Sequence, residues 1–291
     1  MISIITPTYN RSKYLERVYE SIKKQDFLAV EWIVVDDGSS DDTKDLIKNL
    51  IKKAPFKIKY YYQDNSGKMA AINRGMKEVT QPLVFCLDSD DFLLDGALNS
   101  ITEALKFDSD DIAGFVFKHQ NKGQKNPPFG IKKGNLFILY NKYNYVGETV
   151  VVFKTKVRSK YQYELEGGEK FITESYLYNK IARDYNYYFF DKDITEGAYL
   201  EDGYSQNIHK YMFENPKGYL KYYKAFLNMP GDIRINKRFS VMKNLLFINF
   251  VLKGPFFKNI KGLKLKDRFL LTLLYLPALI KYKIKWSKHE K

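Results

Sequence analysis

The sequence predicts an α/β fold: a mostly parallel sheet flanked by helices on both faces, followed by a helical, basic C-terminal extension. Three observations point there. Over the first 120 residues, short and wholly apolar runs alternate with segments of helical periodicity, and fully apolar strands belong in sheets buried on both faces. Each of those runs stops in a polar loop, where sheets of this kind bind ligands, beyond the carboxyl ends of the strands. From Tyr204 onward the chain turns helical, aromatic and basic.

The elements follow in order. Ile2–Thr6 is an apolar run ending at Pro7, a buried strand. Arg11–Gln25 places Tyr14, Leu15, Val18 and Ile22 on one helical face. Glu31–Val35 is a second buried strand, stopped by Asp36-Asp37-Gly38. Ser40 suits an N-cap, with Asp41 and Asp42 in the positive first turn of a helix whose apolar face is Leu46, Ile47, Leu50 and Ile51. Lys57–Tyr62 is a third strand, Gly67–Val79 a helix, and Pro82–Leu87 a fourth buried strand running into Asp88-Ser89-Asp90-Asp91. Beyond residue 120 the pattern loosens. Asn121–Lys133 is a polar loop, Thr149–Phe153 a strand, Phe171–Ala182 a helix and Tyr187–Phe190 a short strand.

Composition bounds the function. At 291 residues and 45% hydrophobic, the chain makes one large or two modest domains, and 16% aromatic residues exclude general disorder. A single cysteine, Cys86, excludes a disulfide framework and a structural zinc site of several thiolates, in keeping with a reducing compartment. His119, His209 and His289 are too scattered for a triad. The start, MISIITPTYN, has neither a basic region nor a long apolar run, so no signal peptide is expected. The net charge of +14 is uneven: Ser240–Lys291 holds 12 basic against 2 acidic residues, a net +10, while the other 239 residues hold 36 against 32, a net +4.

Four loops carry candidate chemistry. The acids of Asp88-Ser89-Asp90-Asp91 repel one another unless a cation or donors neutralise them. A hard divalent ion takes one or two such carboxylates together with substrate phosphates. In isolation the run suits a solvated, helix-capping turn equally well, and its place past a strand end favours the metal. Asp37 is separable from the capping residues Ser40–Asp42 and suits hydrogen bonds from a base or ribose, with Gly38 allowing a tight turn. Asn65-Ser66-Gly67-Lys68 opens a helix with free backbone N–H groups and a cation, a setting for pyrophosphate, although Lys68 alone suits a solvated surface lysine. There is no Walker A loop and no GxGxxG, so a dinucleotide enzyme has no support. Glu174 begins a helical segment, where an acid suits a dipole-favoured cap as well as a general base. Cys86 suits a small core residue, and the tyrosine-rich runs suit packing.

Thr6-Pro7-Thr8-Tyr9-Asn10-Arg11, Val34–Thr43 (VVDDGSSDDT), Asn65–Gly75 (NSGKMAAINRG) and Leu87-Asp88-Ser89-Asp90-Asp91 occur in that order. Together they resemble family 2 glycosyltransferases of the GT-A fold, a Rossmann-like nucleotide-diphospho-sugar transferase architecture, over roughly residues 1–100. The resemblance weakens over 101–200. It implies an inverting, metal-dependent hexosyl or N-acetylhexosaminyl transfer from a nucleotide-diphosphate sugar, most often a UDP-sugar, to a hydroxyl of a glycan or lipid-linked acceptor. The setting implied is cell-surface polysaccharide or glycolipid assembly. Tyr9, Asp37 and Pro7 would then meet the nucleotide base, Lys68 the nucleotide and Ser89 the nucleotide sugar. The acids Asp88, Asp90 and Asp91 would hold ribose and the Mn2+ or Mg2+, Asp88 through the ribose or a water, Asp90 as the direct metal ligand and Asp91 as a second metal candidate. The family's base sits in an acidic pair before a helix reading LWxRxA. Leu177-Tyr178-Asn179-Lys180-Ile181-Ala182 resembles that helix start, which aligns Glu174 with the base. Thr173 replaces the first acid of the pair and Glu the usual Asp; Glu148 and Glu169 are the fallbacks.

The basic tail raises a separate question. Phe269–Ile280 is 12 apolar residues broken by Pro277, too short to span a bilayer, and Phe239–Leu252 carries Lys243. Flanking basic residues (Lys258, Lys261, Lys264, Lys266, Arg268 on one side; Lys281, Lys283, Lys285, Lys288 on the other) and Trp286 suit a peripheral element on an anionic membrane. The same helices also suit packing on the catalytic domain or on a second subunit in a homo-oligomer. No nucleic-acid-binding motif accompanies the charge. The expected division is a catalytic domain over 1–210, with a nucleotide-sugar part over 1–100 and an acceptor part over 101–210, then a basic helical region over 211–291. The expected location is cytoplasmic, at the inner face of the cell membrane. The alternatives are a nucleotidyltransferase, whose Gly-rich basic loop is missing, and a non-catalytic basic membrane- or nucleic-acid-binding protein.

Overall fold

The computed structural model describes residues 2–26, 29–121, 127–197, 208–231 and 233–286; for residues 208, 209, 281 and 284–286 only the backbone is described. The expectations placed on Tyr204, Lys288 and His289, on the side chains of His209, Lys281, Lys285 and Trp286, and on the middle of the 121–133 loop lie outside the described residues.

The N-terminal half runs β1 (Ile2–Thr8), α1 (Ser12–Lys23), β2 (Val30–Asp36), α2 (Thr43–Lys53), β3 (Lys57–Tyr62), α3 (Lys68–Met76) and β4 (Leu83–Cys86). These strands pair in parallel in the order β3-β2-β1-β4, so all four carboxyl ends reach one edge of the sheet. After β3 the chain crosses back to place β4 on the other side of β1, and the crevice between those two strands is the switch point where ligands bind.

The second half extends the same sheet. It comprises β5 (Phe92–Leu93), α4 (Ala97–Ala104), β6 (Ile112–Asn121), β7 (Lys133–Gly134), α5 (Leu136–Asn141), β8 (Glu148–Lys154), α6 (Thr155–Arg158), α7 (Glu174–Ile181) and β9 (Asn186–Gly197). The full order is β3-β2-β1-β4-β8-β6-β9-β5, with the short β7 pairing β9. Here the sheet is mixed: β8 is antiparallel to both β4 and β6, whereas β6 and β9 are parallel through several register shifts.

The two faces of the sheet carry two cores, because successive strand residues point to opposite sides. Ile2, Ile4, Trp32 and Val34 pack with Leu15, Val18 and Ile22 of α1, Ile47 and Leu50 of α2, and Leu98 and Ile101 of α4. Ile5, Ile33 and Val35 pack on the opposite side with Met69 and Ile72 of α3 and Leu177 of α7. This second core continues into α8 (Ile208–Glu214), α9 (Pro216–Leu227), α10 (Ile235–Val251), α11 (Phe256–Asn259) and α12 (Leu265–Trp286), through Tyr219, Leu227, Leu245, Leu246 and Leu271. Between α10 and α12, Arg238 grips the fully buried Asp267 with two donors, Nε at 2.8 Å from Oδ1 and the second nitrogen on Oδ2.

One local expectation is corrected. Asp41, not Ser40, organises the start of α2: its Oδ1 accepts from the Thr43 N–H at 3.1 Å and its Oδ2 from the Ser12 N–H at 3.0 Å. Ser40 instead donates its N–H to Asn10 Oδ1 at 2.8 Å, tying together the loops after β1 and β2.

Candidate active site

Extra backbone hydrogen bonds carry the parallel ladder past the strand ends and fix the loops that follow. Asp37 N–H donates to Thr8 O at 2.8 Å, Gln63 N–H to Asp36 O at 2.9 Å, and Leu87 N–H to Ile5 O at 2.9 Å. The two aspartates of the β2 loop then part ways. Asp36 turns inward, accepting from Tyr60 Oη at 2.7 Å and from the Ser39 N–H at 2.8 Å. The buried Asp37 accepts from Gln63 Nε2 at 2.7 Å, the Ser66 N–H at 2.8 Å and the Gly67 N–H at 2.8 Å, so it positions the entrance to α3. Gly67 sits at φ 93°, ψ 157°, a region essentially closed to other residues, and a Cβ there would lie 2.0 Å from Lys170 O.

Lys68 is not a solvated lysine. Its Nζ lies 2.6 Å from Asp88 Oδ2 and 2.9 Å from Glu174 Oε1, joining the β4 loop to the start of α7. Burial pulls the amine down, but Asp88 and then Glu174 outweigh it and hold Lys68 well above the usual lysine range.

The acids after β4 are packed into a turn closed by the Asp91 N–H on Asp88 O at 3.1 Å. Arg17, lying over the Phe92 ring at 4.8 Å, donates to the Asp90 carbonyl from outside. Burial, and next the Asp88 charge, raise the Asp90 carboxyl; the same causes, with Asp90 added, raise that of Asp91 further. Behind Asp91 stands Gly197, where a Cβ would meet Asp91 Oδ1 at 1.8 Å. His119 reaches this group from β6, with Nδ1 2.8 Å from Thr195 Oγ1 and 3.8 Å from Asp91 Oδ2, and Nε2 3.6 Å from Glu148 Oε2.

These groups line a cleft of about 760 Å3. Pro7, Tyr9, Asp37, Lys68, Asp88, Ser89, Asp90 and Asp91 all face it, with Glu148, Glu169, Lys170, Tyr211 and Asn215 opposite. Glu174 does not line this cleft but an adjoining cavity of about 140 Å3, which shares Asp88, Asp91, His119 and Glu148 with the first. Glu174 Oε2 accepts from Tyr178 Oη at 3.2 Å. Of the fallbacks, Glu148 faces both spaces. Glu169 spends both oxygens on the Lys217 and Gly218 N–H groups, at 2.8 and 2.7 Å, and so caps α9.

Sequence reasoning passed over several residues here. Lys170 donates to Asn65 Oδ1 at 2.7 Å, and Asn215 Oδ1 accepts from the Lys170 and Phe171 N–H groups at 2.8 and 2.9 Å, so the 168–171 loop is clamped over the entrance to α3. These contacts span 44 to 105 residues of sequence, and no local pattern announces them. His119 gave no such signal either, because its strand, β6, mixes Gly114 and Lys118 into its apolar residues.

Among the described residues, no group of three or more Asp, Glu, His or Cys side chains converges to hold a metal by itself. A hard divalent ion needs only one or two carboxylates when a diphosphate completes its shell. Asp90 and Asp91, crowded and raised by burial and Asp88, suit that requirement, because a cation beside them would relieve the same repulsion.

Comparison with known proteins places the chain. The family described as glycosyl transferase family 2 matches residues 3–164, more than half the chain, and the protein belongs to it. A GalNAc(5)-diNAcBac-PP-undecaprenol beta-1,3-glucosyltransferase of Campylobacter jejuni is 28% identical over 244 residues, covering 81% of this chain and 76% of its own. The poly(ribitol-phosphate) beta-N-acetylglucosaminyltransferase TarP of Staphylococcus aureus is 28% identical over 215 residues, covering 68% and 65%. In fold, the chain resembles residues 1–349 of S. aureus TarS in complex with UDP-GlcNAc, with TM-score 0.61, 18% identity and coverage of 97% and 80%. It also resembles the mannosyltransferase PcManGT of Pyrobaculum calidifontis in complex with GDP-Man and Mn2+, with TM-score 0.57, 17% identity and coverage of 99% and 83%. The fold is thus GT-A, and the chain is a glycosyltransferase; nucleotidyl transfer and a purely binding role are set aside.

Proposed function

We propose that the protein moves a sugar, with inversion, from a UDP-sugar to a hydroxyl of a glycan or lipid-linked acceptor in cell-surface glycan assembly. The observation carrying this reading is the half-buried Lys68 ammonium held between Asp88 in the large cleft and Glu174 in the adjoining cavity. In this reading Lys68 is a fixed cation between the proposed diphosphate site and the candidate base. The UDP-GlcNAc and GDP-Man complexes of the structural relatives, and the lipid-linked acceptor in the Campylobacter enzyme's name, support the substrate classes.

In this reading Pro7 and Tyr9 flank the nucleotide base. Asp37 already accepts two hydrogen bonds on Oδ1 and one on Oδ2, which leaves a lone pair of Oδ2 for the base or ribose. Asp88 and Ser89 take the ribose side, and Asp90 with Asp91 holds Mn2+ or Mg2+. When bound, that ion supplies charge neutralisation for the departing diphosphate. Lys68 adds a preorganised charge at the same place. Glu174, paired with Lys68, takes the proton from the acceptor hydroxyl. The acceptor oxygen bonds to the anomeric carbon as the bond to the diphosphate oxygen breaks, and the single displacement inverts the centre.

Glu148 is a second reading for the base, favoured by its exposure to both spaces and its place 3.6 Å from His119. The functional division proposed is donor binding over 1–100, acceptor binding over 101–210 and surface attachment over 211–291, at the cytoplasmic face of a membrane. No helix among the described residues is long and apolar enough to cross one. Release of UDP and transfer to an acceptor glycan, with and without Mn2+, test the reading. Transfer lost in Asp90→Asn supports it, and full turnover in that variant contradicts it. Between Glu174→Gln and Glu148→Gln, the variant that abolishes transfer while keeping donor affinity identifies the base.

A further inference from the structure

The helix α12 is apolar on both sides, yet only one side is covered. Leu271, Leu274, Tyr275, Ala278, Leu279 and Tyr282 belong to the core shared with α10. The opposite side carries Leu265, Phe269, Leu273, Leu276 and Ile280, each 59–80% exposed. Their spacing of four, four, three and four residues is that of one helical face, a stripe about 22 Å long at 1.5 Å per residue. An unburied apolar stripe of this kind marks an interaction surface.

Charge decides what covers it. Along and just before the stripe, Lys258, Lys261, Lys264, Lys266 and Lys283 are exposed. The acid of this segment, Asp267, is fully buried against Arg238 and presents no negative charge outward. A second copy would bring the same lysines against these. An anionic bilayer offers acyl chains to the stripe and phosphates to its border, the arrangement of a helix lying in the membrane plane. We propose that the outward face of α12 docks the enzyme on an anionic lipid surface, with the five apolar side chains inserted and the lysines at headgroup level. The inference rests on the reading of a glycosyltransferase with a membrane-borne acceptor, for which such docking brings the cleft to its substrate.

The test is co-sedimentation of the full chain with phosphatidylcholine vesicles and with vesicles containing phosphatidylglycerol. Binding to the anionic vesicles should be at least about tenfold tighter, and should weaken as salt is raised. The double variant Leu273→Lys, Leu276→Lys adds positive charge while removing insertion. It should lose at least about tenfold in vesicle affinity, each buried CH2 being worth a few-fold. Lys261→Glu with Lys264→Glu should lose a comparable amount. All four sites are exposed, and unchanged melting with unchanged transfer to a soluble acceptor confirms that each variant is folded. Should the double lysine variant fail to fold, Leu265→Ser at the most exposed position gives the same test with a smaller loss. No pelleting of the wild type, or binding kept by the leucine variant, overturns the proposal. So does a wild-type dimer that the leucine substitutions make monomeric without altering vesicle affinity. Vesicle binding without transfer from any donor would leave the docking face standing and remove the catalytic reading.

Discussion

Removing the Lys68 ammonium leaves Asp88 and Glu174 without the cation that joins them, which defines the first prediction. Lys68→Met should lower kcat by about 10²–10³, the usual loss when one preorganised stabiliser of developing charge is removed. The fold should survive, because both carboxylates keep part of their exposure. Steady-state turnover beside a melting curve checks both halves. Gly67→Ala should act differently, through the backbone: its Cβ has no room under Lys170 O, and its dihedrals cost a side-chain-bearing residue about 1–3 kcal/mol. A lower Tm with a weakened donor KM is the expected pair of results. At this scale the sequence was a good guide to which residue types gather. Pro7, Tyr9, Asp37, Lys68 and the acids of 88–91 sit at or beyond the ends of successive strands, and the strand pattern alone brings such segments together. It was a poor guide to what each side chain touches. The ion pair of Lys68 with Glu174 and the caps made by Glu169 depend on contacts 48 to 106 residues apart, which no local pattern encodes.

Among the elements, β2 shows how a buried charge holds the parallel sheet. Glu31 is nearly inaccessible, and its carboxylate meets Lys59 Nζ of β3 at 2.8 Å, Ser3 Oγ of β1 at 2.6 Å and the Thr80 N–H at 2.7 Å. Burial works to raise this carboxyl, but Lys59, Ser3 and Thr80 together outweigh it and hold it below the usual glutamate range. A depressed folded value means the stabilisation is complete above the ordinary glutamate range and is lost as pH falls through the folded value. Glu31→Gln should therefore cost about 3 kcal/mol at neutral pH, and less as acidity erases the wild type's advantage. Urea melts at several pH values measure that difference; a constant gap down to strongly acidic pH would contradict it. The parallel strands β1, β2 and β4 were legible because each carries a short, mainly apolar run with a polar stop, and β3, with Lys57 and Lys59 among its tyrosines, because it falls between two helical patterns. β6 was not: Ile112–Asn121 mixes Gly114, Lys118 and His119 into its apolar residues, and it is recognisable only once β8 and β9 flank it. Gly114 is there for closeness, since a Cβ would meet Val152 O at 2.0 Å.

For the whole molecule, the basic C-terminal helices are both part of the core and part of the surface. Leu245, Leu246, Ile248 and Leu271 continue the core beneath the sheet, so deleting Ser240–Lys291 should expose it and give an aggregating chain, visible by light scattering. Asp267→Asn should destabilise by about 3–5 kcal/mol, because Arg238 would then be left without its buried counter-charge. The sequence showed the apolar and basic character of these helices but not which side of α12 faces outward; that depends on how α10 packs against it.

The donor site is the claim on which the functional reading stands, and a thermal-shift panel tests it most directly. UDP-, GDP-, CMP- and dTDP-sugars would be added to the full chain and to Asp90→Asn, each with and without Mn2+. A nucleotide sugar at 100 times its Kd should stabilise the fold by about 2.7 kcal/mol. The expected result is a rise in Tm with the UDP-sugars, larger with Mn2+, and no Mn2+ dependence in Asp90→Asn. A well-folded wild type whose Tm answers to no nucleotide sugar, with or without the ion, would contradict it.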